Sequence, residues 1–167
     1  LQQATRMFSK CTSFNQPIGD WKLSDLRIVY EMFYRCTSFN QDLSDWNVST
    51  VFNFEGMFYG CTAFNKPLNS WNMSAASSLR NMFRGASSFN QPLDGWDVSG
   101  VSNMRSMFEW ATSFNQDISM WDTSGITRSA GMESMFANAL AFNQDLSSWD
   151  VNLISELPYQ FDYKADE

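Results

Sequence analysis

The chain has 167 residues, 16% aromatic and 17% charged, with a formal charge of −7. That apolar content with so little self-repulsion excludes a disordered chain. The acidic balance excludes the cationic stripe of a nucleic-acid binder and the polybasic patch that seeks an anionic membrane.

One phrase returns every 25 residues from the start of the chain. Met-Phe pairs stand at Met7-Phe8, Met32-Phe33, Met57-Phe58, Met82-Phe83, Met107-Phe108 and Met135-Phe136. Each is followed by a Phe-Asn pair at Phe14, Phe39, Phe64, Phe89, Phe114 or Phe142, and then by Trp21, Trp46, Trp71, Trp96, Trp121 or Trp149. A fixed period of this length marks stacked units, each burying its apolar face against its neighbours. Residues 1–152 therefore read as one six-unit array whose first unit starts inside a repeat, and residues 153–167 as a C-terminal cap or tail. No signal peptide is visible, no run of 18 apolar residues offers a membrane span, and Leu1 falls within a repeat, so the chain reads as a mature or trimmed piece.

Within one unit, Val101, Met104, Met107, Phe108 and Ala111 fall on one face of a helical period, which predicts a helix of about eight to ten residues. Ser99 and its equivalents suit the start of that helix. Cys11, Cys36 and Cys61 share one column with Ala86, Ala111 and Ala139, and read as small buried fillers, not a disulfide framework. Pro17, Pro67 and Pro92 alternate with Asp42, Asp117 and Asp145 at a turn. The L-x-x-W-x-V pattern at Leu93, Trp96 and Val98 predicts a short strand with its Trp inward. The fold class expected is thus an α/β solenoid, with short parallel strands on one face and helices on the other.

The constant Asn15, Asn40, Asn65, Asn90, Asn115 and Asn143 read as an internal amide ladder that pairs turn groups between units. The Trp column reads as core, not as a sugar-stacking surface. The segment 125–131 makes the sixth unit three residues longer than the others and interrupts one surface. In the tail, Leu157, Pro158, Tyr159, Phe161 and Tyr163 are apolar enough to cover the last unit, while Asp166 and Glu167 are polar.

The stretch FNQPLDGWDVSGVSNMRSMF, Phe89 to Phe108, resembles the BspA-like leucine-rich-repeat surface proteins, whose 25-residue units are abundant in mycoplasma surface lipoproteins. The resemblance covers about 150 residues. It implies a leucine-rich-repeat-like solenoid, a cell-surface or extracellular location, and adhesion or protein binding. No catalytic residues carry over.

In such an array, function belongs to the outward columns. The strand face offers Asn47, Asn72, Asp97, Asp122 and Asp150, a stripe read as solvated, with a hard cation as the alternative. The helix face offers Tyr30, Tyr34, Tyr59, Arg84, Arg105 and Trp110. Trp110 stands out because its equivalents are Lys10, Arg35, Gly60, Gly85 and Asn138. It is either an interface anchor or packed against the inserted segment near Arg128. With no histidine and no phosphate loop, no enzyme is expected, and neither a cofactor nor a metal. The expected function is a scaffold binding a protein or glycan partner. The alternative is a structural subunit held in a larger assembly.

Overall fold

The computed structural model of the chain describes residues 2–165. The 25-residue units stack, one rung upon the next, but the rungs contain neither the helices nor the strands of the expected α/β solenoid. Among the described residues the one helical element is a single 3-10 turn, Ser129–Gly131, inside the inserted segment. Strand-like pairing is confined to four isolated parallel bridges, Gln3–Ile28, Ile28–Asn53, Asn53–Ser78 and Ser78–Asn103.

The reason lies in where the backbone N–H groups go. In the segment read as helical, alternate donors leave the rung. Phe54, Gly56, Phe58 and Gly60 donate to the carbonyls of Ser78, Arg80, Met82 and Arg84 in the next rung, at 2.7–3.0 Å. The donors between them close tight turns at 3.1 Å: Met57 to Phe54, Tyr59 to Gly56 and Cys61 to Phe58. An α-helix needs all of these N–H groups for bonds four residues back, so pairing between rungs and a helix are mutually exclusive. The turns hold because two columns are left-handed: nine of the eleven non-glycine residues with positive φ, and Gly56, Gly60 and Gly85, fall immediately before or three after a Met-column position, and the other two, Gln160 and Lys164, stand in the same places around Phe161 of the tail. A right-handed helix has no place for a left-handed residue every fourth position. The segment read as helix is therefore the one that zips the rungs together.

The segment read as strand is also made of turns. Trp96 N–H closes on Leu68's counterpart in its own rung, Leu93, at 3.1 Å, and Val101 N–H closes on Val98 at 2.9 Å. Its link to the neighbouring rung is made by side chains: Trp46, Trp71, Trp96, Trp121 and Trp149 donate Nε1–H to the carbonyls of Ile18, Leu43, Leu68, Leu93 and Ile118, at 2.9–3.0 Å. These five indoles are buried.

Two columns of Phe run along the core. Within a rung the rings lie close and nearly parallel, as in Phe83–Phe89 (4.0 Å, 8°) and Phe108–Phe114 (3.9 Å, 9°). Between rungs they stack at 5.7 Å for Phe83–Phe108 and 6.1 Å for Phe89–Phe114. Such aromatic pairs contribute roughly 0.5–1.5 kcal/mol each beyond the area they bury.

The Asn column forms a ladder at the rim of the rungs, half-buried to exposed. Asn40, Asn65, Asn90, Asn115 and Asn143 each donate their backbone N–H to the Oδ1 of the Asn before them, at 2.9–3.1 Å. The tail copies half a rung. The N–H groups of Ser134, Phe136 and Asn138 donate to the carbonyls of Tyr159, Phe161 and Tyr163 at 2.9, 2.7 and 2.7 Å. Phe161 lies edge-on to Phe136 at 5.4 Å and to Trp149 at 6.4 Å. Pro158 occupies the column where Val29, Phe54 and Leu79 donate onward, and it has no N–H to donate. Leu1, Asp166 and Glu167 lie outside the described residues.

Candidate functional site

The outward side chains of the zipped segment form a ridge of aromatic and charged groups. Because like columns lie over one another, residues 25 apart in sequence become neighbours. Tyr34 packs against Tyr59 with ring centroids 4.7 Å apart, and Arg35 lies over both rings at 5.3 and 6.0 Å. Arg84 continues the column, over Tyr59 at 5.5 Å and paired to Glu109 at 2.8 Å. Arg105 pairs with Glu133 at 3.1 Å, and Arg80 with Glu55 at 3.4 Å. Tyr30 lies under Arg6, whose guanidinium pairs with Glu31 at 2.6 Å. Hydrogen bonding to Glu31, then burial, push the Tyr30 phenol above its usual pKa.

Trp110 differs. It is 50% exposed, and it makes no ring-stacking or cation–π contact among the described residues. Its backbone has φ 61°, the conformation that Gly60 and Gly85 supply at the same column. A bulky L-residue there costs about 1 kcal/mol relative to glycine. The backbone N–H of Trp110 donates to Ala137 at 2.9 Å, as the zipper requires.

The other set expected from the sequence, Asn47, Asn72, Asp97, Asp122 and Asp150, does not lie on a strand. Each residue turns back on its own chain. Asn47 Oδ1 accepts from Ser49 N–H and Oγ at 3.1 and 2.7 Å, and Asn72 accepts in the same way from Ser74. Asp97 accepts from Ser99 Oγ at 2.6 Å, Asp122 from Ser124 N–H at 3.0 Å, and Asp150 from Asn152 N–H at 3.0 Å. The Ser124 bonds hold the Asp122 carboxyl below its usual pKa. These are local turn caps that each use one oxygen of the side chain. No hydrogen bond or ion pair among the described residues joins this set to the ridge. No cluster of potential metal ligands occurs among the described residues, and no helix there is long and apolar enough to cross a membrane.

Sequence reasoning passed over Arg80 and Glu55 as a pair. The signal was present: opposite charges one period apart in a shared column meet side by side in any stack.

The geometry defines a repeat protein of stacked, turn-built rungs with a sparse set of outward aromatic and arginine side chains. The profile of the family described as "Mycoplasma protein of unknown function, DUF285" matches residues 1–94 and again residues 67–166, and the chain belongs to that family. No curated protein and no solved structure matches it.

Proposed function

We propose that the protein is a non-catalytic recognition scaffold that uses the ridge around Trp110 to hold a protein or glycan partner at a cell surface. The observation that carries this reading is the conformation of Trp110. The residue occupies a left-handed backbone position, half in solvent, that its equivalents fill with Gly60, Gly85, Asn138, Lys10 and Arg35 and no other aromatic. A large aromatic half in solvent, in a left-handed position that smaller or flexible side chains otherwise fill, suits contact with a partner. Trp and Arg are also the commonest anchors of binding patches. The resemblance of the repeat phrase to BspA-like surface proteins supports the surface location and the adhesive role.

Trp110→Gly separates fold from function. The labelled variant should keep or raise its melting temperature and lose binding to intact cells or to a panel of immobilised glycans. Asp122→Ala serves as the comparison from the other face. Equal binding by Trp110→Gly and the parent protein would remove the ridge from the proposal.

A further inference from the structure

The inserted segment is where the array departs from its own period, so its residues are not needed for like-over-like stacking. It folds against the ridge and closes a groove of about 430 Å³. Arg80, Arg105 and Arg128 line this groove together with Thr127 and Asn103. Three of the chain's seven arginines converge here, in a protein whose overall charge is −7. Gly131 makes the closure possible: a Cβ there would stand 2.8 Å from the Ser102 carbonyl and 2.8 Å from Ile126.

The groups facing the groove are mainly donors. Asn103 Oδ1 is already engaged by Arg105 N–H at 3.1 Å, which leaves its amide NH2 to donate. Arg128 pairs with no carboxylate among the described residues, and Thr127 contributes a hydroxyl. Glu55 and Glu133 offset two of the three guanidinium charges, leaving a net of one positive charge. The match is therefore a singly charged oxyanion. A doubly charged group meets repulsion from the same two carboxylates. With Arg80 and Arg105 each giving one nitrogen to a glutamate, their remaining N–H groups and the whole of Arg128 still offer more donors than the two oxygens of a carboxylate take up, and suit the three free oxygens of a sulfate ester. The volume exceeds that of a bare ion and leaves room for an attached sugar ring.

We propose that this groove binds a sulfate ester carried on a sugar, with Arg80, Arg105 and Arg128 as the three arms. Trp110 does not line the groove, and the proposal does not rest on that residue's role.

Calorimetric titration with N-acetylglucosamine 6-sulfate, its 6-phosphate, the unsubstituted sugar and glucuronate tests the assignment. The 6-sulfate should bind saturably and best of the four, and the unsubstituted sugar not at all. Arg128→Gln removes an exposed side chain with no structural partner, so the variant should fold normally and lose about tenfold or more in affinity, the value of one charged hydrogen-bonding arm. Asp122→Ala, on the other face, should leave the affinity unchanged. Equal binding of sulfated and unsulfated sugar, preference for the 6-phosphate or glucuronate, full affinity in Arg128→Gln, or no saturable binding of any probe would each overturn the proposal.

Discussion

The indole Nε1–H of Trp96 donates to the carbonyl oxygen of Leu68, one rung back, at 2.9 Å. The same carbonyl accepts the backbone N–H of Trp71 at 3.0 Å, so one oxygen ties a turn and a neighbouring rung together. Trp96→Phe keeps most of the ring but deletes the donor. Leu68 keeps its bond from Trp71, so the loss is one buried hydrogen bond plus a small cavity, about 2 kcal/mol in all. Chemical denaturation should show this as a lower midpoint with an unchanged slope.

The Asn ladder uses Oδ1 and not the amide NH2. Asn65 Oδ1 accepts from Asn90 N–H at 3.0 Å and from Gln91 Nε2 at 2.9 Å. Asn65→Leu should destabilise by about 1–3 kcal/mol, because two donors lose their acceptor. Asn65→Asp preserves the acceptor and should stay close to the parent at neutral pH. Melting temperatures of the two variants at pH 7 separate the outcomes.

Several turn carboxylates are held below their usual pKa. For Asp42, Asp117 and Asp145 the first cause is the backbone N–H of Ser44, Ser119 and Ser147; for Asp122 it is the hydroxyl of Ser124. A depressed folded-state pKa contributes stability above the unfolded value near 3.9 and loses it as pH falls through the folded value. The melting temperature should be flat from neutral pH down to about pH 4 and drop below it. The combined Asn variants at these four positions should show a shallower acid limb.

Cys36 Sγ donates to the Phe8 carbonyl at 2.9 Å, and Cys61 Sγ to the Phe33 carbonyl at 3.0 Å. Burial pushes the Cys36 thiol up to about 11 and raises that of Cys61 as well. Cys11 is exposed. A thiol reagent at pH 8 should therefore label one cysteine per folded chain quickly, and the other two only after denaturation. Cys36 labelling at the rate of Cys11 would contradict the packing described for that column.

The period and the apolar columns of the middle units were legible in the residues, because a stack repeats its chemistry wherever it repeats its geometry. The Asn column reads as an internal ladder but runs along the rim, and the tail reads as breaking the period but copies half a rung. Cys11, read as a buried filler, is exposed because no unit precedes it among the described residues. The local backbone was misread. Apolar residues at Val101, Met104, Met107 and Phe108 suit a helical face, yet they suit equally a chain of turns that aims the same side chains inward. The clue that separates the two was small: Gly56, Asn81, Gly60, Gly85 and Asn138 recur in two columns, and those columns are the left-handed ones. An amphipathic pattern records which side chains are buried, not which carbonyl receives each N–H.

Sequence alone determined that like residues lie over like, because six copies of one phrase can bury the same faces only by stacking. Tertiary structure decided the rest. In the segment read as helix, alternate N–H groups pair with carbonyls of the next rung, which excludes a helix; in the segment read as strand, the backbone closes its own turns and the indoles make the link, which excludes a strand. The convergence of Arg80, Arg105 and Arg128 was decided there too, since it arises from the fold of an insertion that no repeat column describes.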